Sequence, residues 1–338
     1  MELETHVDLA PLTTFGVPAK AEKLLRFASA DELREVARQP EHWGSHRLVL
    51  GGGSNVLFTR DVSGLVLLNE VNGIELVRET EEHVWIRAGA GEPWHDLVRH
   101  TVDRGWGGLE NLSLIPGKVG AAPMQNIGAY GVELKDSFVS LTAFHMETGE
   151  LIQFDRDQCA FGYRESFFKR EGKGRFIIMD VTVRLDKRPR LNMEYGAIRS
   201  QLAHMGVAQA GIQEISEAVM AIRRSKLPDP CVLGNAGSFF KNPVLPDPQV
   251  DVLREKFPGL VTYPANDGSS KVAAGWLIER AGWKGFRKGN AGVHGAQALV
   301  LVNHGGAHGR DVHALATLIQ SDIQERFGIE LEMEVNVI

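Results

Sequence analysis

Ser238 stands in GNAGSFFKNP, residues 234–243, behind two glycines and ahead of two phenylalanines, a lysine and an asparagine. A hydroxyl can attack a carbonyl or hand over a proton. The strained hydrolase elbow places its serine between glycines as G-x-S-x-G and feeds it from a histidine, and this spacing differs. GGGSN at 51–55 follows an apolar run, and residues without Cβ let backbone N–H groups approach an anion closely. It reads as a phosphate-binding loop or as a tight turn. A second stretch, 117–131, mixes Gly117, Gly120, Gly128 and Gly131 with small residues and Asn126. Two such loops suit a dinucleotide, and two ordinary loops would have the same composition.

Arg164 lies among aromatic and small residues in FGYRESFF, 161–168, where a partly desolvated guanidinium can fork toward a carboxylate or a flavin carbonyl. The alternative is a surface arginine on a loop. Glu334 falls on the polar face of an alternating segment, where a carboxylate is ordinarily solvated. Tyr195 in NMEYGA reads as a half-buried tyrosine beside a turn glycine, and Lys226 and Lys271 as exposed lysines. The 12 histidines show no H-E-x-x-H or similar ligand spacing, so no catalytic metal is expected.

The elements that must hold these residues follow from pattern. AEKLLRF (21–27) reads as a strand, and Ser29 with Glu32 has capping-box spacing for a helix over 30–38. Strands are expected at 47–50, 64–69 and 83–89, then a helix starting near Pro93. VSLTAFHMETGELIQF (139–154) reads as a hairpin around Thr148 and Gly149, with another strand at 176–185. Ile215, Val219 and Ile222 share one face of a helix that KLPDP (226–230) stops, and a domain boundary near 220 follows. Helices are expected around 271–281 and 310–327, the latter capped by Gly328. In GIELEMEVNVI, Ile329, Leu331, Met333, Val335 and Val337 alternate with polar residues, which predicts a terminal strand with one apolar face.

A chain of 338 residues with 43% hydrophobic content is long enough for two or three domains with buried cores. Its net charge of -6 argues against a sequence-independent grip on nucleic acid, which needs a basic stripe. Two cysteines make no disulfide framework and no zinc cluster, which suits a reducing compartment. The first residues lack a basic region followed by an apolar run, and no stretch of about 18 apolar residues occurs. The expectation is a cytoplasmic protein that binds neither nucleic acid nor membrane.

Several segments together resemble one family: LTTFG (12–16), GGGSNVLF (51–58), GLENLSLIPGKVGAAPMQNIGAYGVEL (108–134), FGYRESFFK (161–169), KLPDP, GNAGSFFKNP, KVAAGWLIE (271–279), QALVLVN (297–303) and LEMEV (331–335). They resemble the UDP-N-acetylenolpyruvoylglucosamine reductases, in the subtype that keeps a substrate-capping tyrosine loop, with Tyr195 in that loop. Asn336 departs from the pattern, where an arginine is expected after the glutamate.

The resemblance implies an α+β fold: a vanillyl-alcohol-oxidase-type FAD-binding region of two α+β subdomains and a C-terminal α+β substrate-binding domain. The implied division is 1–70, joined by the terminal strand 329–338, then 71–220, then 221–328. FAD, held non-covalently, falls to Gly51, Gly53, Ser54, Asn55, Pro116, Gly117, Gly120, Ala121, Ala122, Asn126, Ile127, Gly128 and Gly131. The implied chemistry is reduction by NADPH, then hydride transfer from flavin N5 to C3 of UDP-N-acetylglucosamine enolpyruvate, giving UDP-N-acetylmuramate, the peptidoglycan precursor. Arg164 matches the position that stabilises the enolate-like carboxylate, Ser238 the acid that protonates C2, and Glu334, protonated or hydrogen-bonded, the group opposite Arg164. Lys226 and Lys271 take the diphosphate, Tyr195 closes over it, and Tyr130, Arg223, Asn242, Tyr263 and Gln297 are further substrate contacts. The implied protein is a monomer. Two alternatives stand beside it: a non-catalytic nucleotide-sugar binding protein, and an FAD-dependent oxidase of the same fold.

Overall fold

The computed structural model describes residues 2–265 and 268–338. The chain packs into two compact units. The first takes the residues up to Val7, Ala21–Gly53 and Val62–Ser225, and the second takes Asp8–Lys20, Ser54–Asp61 and Lys226–Ile338.

Besides the short pair Gly128–Ala129 with Val132–Glu133, the first unit holds two main sheets. In the smaller, Lys20–Phe27 and Arg47–Leu50 both run parallel to Val62–Asn69, with Leu24 and Leu48 in register with Val66. That central strand is buried on both faces, Leu65 and Leu67 packing with Leu33 and Val36 and Val66 and Leu68 buried opposite, which explains why LVLLN is a continuous apolar run rather than an alternating one. Helix Ala30–Ala37 starts where its cap predicts: Ser29 Oγ accepts from the Glu32 N–H at 3.2 Å. The return bond of the capping box differs, because Glu32 Oε2 accepts from the N–H of Ala28.

The larger sheet is antiparallel, in the order Leu151–Asp155, Phe138–His145, Phe176–Asp186, His83–Gly89, Ile74–Glu79. The expected hairpin is its first pair. Its inward residues, among them Leu141, Val181, Val183, Val84 and Ile86, form one core with Trp94 and Leu97 of helix Trp94–Val102. Buried Trp94 spends its indole N–H on the carbonyl of Leu112 at 3.0 Å, which ties the core to the loop that follows. Helix Ile212–Lys226 buries Ile215, Val219 and Ile222 against Ile198 and Leu202. The expected break between 1–70 and 71–220 falls between these two sheets, and both sheets lie in the one unit.

The second unit contains the antiparallel sheet Gly234–Ser238, Val300–Asn303, Ala291–Val293, Arg287–Lys288. It also holds a three-stranded sheet of Val244–Pro246, Ser269–Val272 and Thr262–Pro264. Helix Gly309–Phe327 ends at Gly328, whose φ of 66° is the left-handed cap that glycine supplies.

Two expectations need correction. The helix expected over 271–281 begins later, as Ala274–Arg280, and Lys271 belongs to a strand. Asn242 Oδ1 fixes the start by accepting from the Ala274 N–H at 3.0 Å. The terminal segment keeps its alternation, with Ile329, Leu331 and Val335 buried, yet only Asn336–Val337 is a paired strand. It changes partner along its length: Met333 bridges Phe240, then Asn336–Val337 runs parallel to Val56–Leu57. Val56–Leu57 lies within 1–70, the stretch that the terminal strand is expected to join, and Ser54–Asp61 is grouped with the second unit.

Candidate active site

In the first unit the two glycine-rich loops come together. Strand Arg47–Leu50 delivers Gly51, Gly52 and Gly53, and a Cβ built on Gly52 would stand 3.0 Å from the Cα of Gly117. Gly51 faces the Cβ atoms of Lys118 and Ala121 at 3.8 and 3.9 Å. The loop beyond is pinned from below, because Gly120 donates to the Ala90 carbonyl at 2.9 Å and a Cβ there would lie 2.6 Å from that of Ala90. Pro116, Ala121 and Ala122 complete this bend, Ala121 closing the short helix Val119–Ala121. Two backbones meeting without side chains form a cradle that a diphosphate and a flat ring can approach, which is what FAD requires.

Asn126 is tied into the loop by its own side chain. It is fully buried, its amide donates to Glu133 Oε2 at 2.9 Å and to the Gly162 carbonyl at 3.1 Å, and its Oδ1 accepts from the Lys135 N–H. The side chain thus knits the loop to its surroundings. Ile127 packs against the core of the larger sheet, and Gly131 receives a bond on its carbonyl from Asn192. Ser54 and Asn55 fall in the second unit, where Asn55 Nδ2 donates to the Glu334 carbonyl at 3.1 Å.

The first unit also gathers Arg164, Gly128, Tyr130, Tyr195 and Arg223. Arg164 Nη2 donates to the Gly128 carbonyl at 2.8 Å, which couples the guanidinium to the second glycine loop. Arg164 and Tyr130 both hold left-handed backbone, φ 54° and 51°, a conformation that costs a side-chain-bearing residue about 1–3 kcal/mol and clusters at functional sites. The Tyr130 and Tyr195 rings meet edge to face with centroids 5.3 Å apart. Tyr130 also hydrogen-bonds Arg223, whose Nε donates to the Leu114 carbonyl at 3.2 Å. Burial pushes the Tyr130 phenol above its ordinary value and the Arg223 guanidinium below its own, and their mutual bond opposes both shifts.

Sequence reasoning missed three supports here. Asn111 donates to the carbonyls of Tyr130 and Asn192, at 3.1 and 3.0 Å, and so holds the strained tyrosine. Glu110, 4% exposed and with its carboxyl pushed up by burial, accepts from the Gly108 N–H at 2.6 Å. Lys118 Nζ donates to the Asn69 carbonyl at 2.8 Å. Gly52 and Lys118 were present in the motifs themselves, whereas nothing in the string marks Asn192.

The second unit gathers the other set. Ser238 ends strand Gly234–Ser238 opposite Val300. The next residue, Phe239, accepts on its carbonyl the N–H of Glu334 at 2.8 Å, so the hydroxyl-bearing and carboxyl-bearing segments adjoin. Asn336, standing where an arginine was expected, donates through both backbone N–H and side chain to the Asn55 carbonyl. Tyr263 and Lys271 are register partners in the three-stranded sheet, Asn242 caps the following helix, and Gln297 Oε1 accepts from the Leu299 N–H at 3.4 Å. Lys226 is exposed at the end of helix Ile212–Lys226. Arg164 thus sits in one unit, and Ser238 and Glu334 in the other.

Comparison with known proteins decides the family. The chain is 52% identical over 337 residues to the UDP-N-acetylenolpyruvoylglucosamine reductase of Pseudomonas aeruginosa, covering 100% of this chain and 99% of the relative. The chain belongs to the UDP-N-acetylenolpyruvoylglucosamine reductase family. A relative of the same name from Burkholderia pseudomallei is 54% identical over 323 residues, covering 95% of this chain and 93% of that one. The crystal structure of the Thermus caldophilus reductase aligns over 100% of this chain and 99% of its own with a TM-score of 0.70 at 27% identity. The model of an FAD binding domain matches residues 21–155, and that of the reductase C-terminal domain matches 229–338.

The fold is therefore α+β, an FAD-binding region of the vanillyl-alcohol oxidase type followed by the C-terminal domain of this family, and the chain is an FAD-dependent oxidoreductase. The glycine cradle of 51–53 and 117–120 fits that cofactor. Neither cysteine nor histidine occurs in 51–58 or 115–131 to attach it covalently. No helix among the described residues is long and apolar enough to cross a membrane.

Proposed function

We propose that the chain uses NADPH to reduce UDP-N-acetylglucosamine enolpyruvate to UDP-N-acetylmuramate, in the synthesis of peptidoglycan precursors, and that it does so as a cytoplasmic monomer of the tyrosine-loop subtype. When bound, FAD, held by the glycine loops 51–53 and 117–131, would supply hydride transfer from NADPH to C3 of the enolpyruvyl group. The residues of the chain do the rest. Negative charge builds on the substrate carboxylate as C3 gains hydride, and Arg164 stabilises it; a preorganised donor of this kind is worth about 10² to 10³ in rate. Ser238 gives the proton to C2. A hydroxyl is a weak acid in water, but the carbanion-like centre is a strong base, so transfer is downhill once the hydroxyl is held close. Glu334 polarises the same carboxylate. Lys226 and Lys271 hold the diphosphate, Tyr195 covers it, and Tyr130, Arg223, Asn242, Tyr263 and Gln297 orient the rest. Residues 1–70 and 71–220 serve FAD, and 221–328 with Glu334 serves the nucleotide sugar.

The observation that most supports this reading is the 2.8 Å bond from the Glu334 N–H to the Phe239 carbonyl, which brings the hydroxyl-bearing and carboxyl-bearing segments side by side in one unit. Ser238→Ala tests it, with flavin absorbance followed separately in each half-reaction. Reduction by NADPH should match the wild type, and reoxidation by the enolpyruvyl sugar should fall by roughly 10² to 10⁴, the contribution of a general acid. Equal slowing of the two halves would remove the proton-donor assignment.

A further inference from the structure

Glu330, Glu332 and Glu334 recur every second residue in IELEMEV, separated by apolar residues. A strand displaced by two residues keeps every side chain on its own face, so alternation fixes the face of these glutamates and leaves open which of them stands beside Phe239. In the structure Lys241 stands against Glu332 and Phe239 against Glu334. Lys241, three residues after Ser238, is 7% exposed, and its Nζ lies 2.5 Å from Glu332 Oε1. The same pair is joined through the backbone, the Lys241 N–H donating to the Glu332 carbonyl at 2.9 Å. One residue further along each segment, Phe240 bridges Met333, and Phe239 then receives the Glu334 N–H. A buried ammonium tolerates little error in its partner, because leaving it uncompensated is far more costly than losing an exposed ion pair. The glutamate side chain is 68% exposed and is ordered by the lysine rather than by packing.

We infer that Lys241 is a positioning residue: its ion pair with Glu332, added to the backbone bond between the same two residues, ties the terminal segment to the segment after Ser238 and so holds Glu334 beside it. Asn55 completes the hold from the far side, accepting Asn336 on its carbonyl and donating its amide to the Glu334 carbonyl. The inference rests on the proposed role of Glu334, and its test separates the two.

The FAD-loaded enzyme is compared with Lys241→Met, which keeps an apolar stem of similar length, with Glu332→Gln on the exposed side, with Glu334→Gln, and with Lys241→Met combined with Glu334→Gln. Two quantities are read: hydrogen exchange of the Glu334 amide, and the two flavin half-reactions. Lys241→Met and Glu332→Gln should each speed exchange at Glu334 and slow reoxidation by the enolpyruvyl sugar by roughly 10- to 10²-fold, the scale of a displacement near 1 Å, with reduction by NADPH unchanged. Adding Lys241→Met to Glu334→Gln should cost nothing more, since the lysine acts through that glutamate. Unchanged exchange in both single variants, equal slowing of the two half-reactions, or a full extra loss in the double variant would each overturn the inference. Faster exchange in Lys241→Met and Glu332→Gln together with wild-type reoxidation in Glu334→Gln would leave the anchoring by Lys241 standing and remove Glu334 from the chemistry.

Discussion

Gly52 and Gly117 meet with no side chain between them, a Cβ on the first falling 3.0 Å from the Cα of the second. Backbone on both sides leaves nothing flexible to yield. Gly52→Ala should weaken FAD binding by about 1–3 kcal/mol, the usual cost of overpacking, or roughly 5- to 150-fold in dissociation constant. Gly52→Val should purify without colour. Fluorescence titration of the apoprotein with FAD measures both, and full flavin content in the valine variant would place the cofactor elsewhere.

Tyr195→Phe and Lys226→Ala are expected to act on binding. Groups that hold the nucleotide equally in ground and transition states change KM and leave kcat alone. A lost charge-assisted bond from Lys226 corresponds to roughly 10- to 150-fold in KM, and the tyrosine hydroxyl to roughly 2- to 10-fold. Steady-state kinetics with the enolpyruvyl sugar varied gives the answer; constant KM in both variants would send the diphosphate to other residues.

Asn303 is 7% exposed and spends its amide on four backbone groups: it donates to the carbonyls of Phe15 and Gly16 and accepts from the N–H groups of Gly305 and Ala307. Asn303→Ala strands these groups in the interior, at about 1–3 kcal/mol. Calorimetry should show a melting temperature lower by roughly 3–10 °C. A variant melting with the wild type would mean that water replaces the amide without loss.

The two thiols should behave as opposites. Cys159 is fully buried and its pKa is pushed to about 12, first by burial and then by Asp155, whereas Cys231 is exposed. Only the thiolate reacts, so at pH 8 the native protein should titrate one thiol quickly and the unfolded protein both. Cys231→Ser should abolish the fast reaction. Rapid labelling of Cys159 in that variant would contradict the packing around it.

Local pattern made much of this molecule legible. Helix Ala30–Ala37 and helix Gly309–Phe327 carry their own end signals in Ser29 and Gly328, and the hairpin of Phe138–His145 with Leu151–Asp155 is written in alternation. What escaped are meetings between distant residues. Asn55 and Glu334 are 279 positions apart, and no period in the string pairs them. The terminal segment misled for the same reason: its alternation is real, but the partner that would have made it one strand changes at Val335. Lys271 appeared helical because the apolar spacing of the following helix extends back over it, while its own bonds go to Val244 and Tyr263 across the sheet. Asn126 stands in a loop of glycines, and the bonds of its amide to Glu133 and Gly162 are contacts that no local pattern announces.

The second unit collects Asp8–Lys20 and Ser54–Asp61 with residues that follow Lys226, and the strand Val56–Leu57 pairs with Asn336–Val337. Phe15, Leu57 and Phe58 are wholly buried there. On a translating ribosome those side chains emerge long before anything exists to cover them. At about 5–20 residues per second, synthesis of the intervening chain occupies on the order of tens of seconds. For that interval two short apolar stretches that precede their partners stand open to water, and a holding chaperone or fast completion of synthesis is what keeps them from finding each other in neighbouring chains.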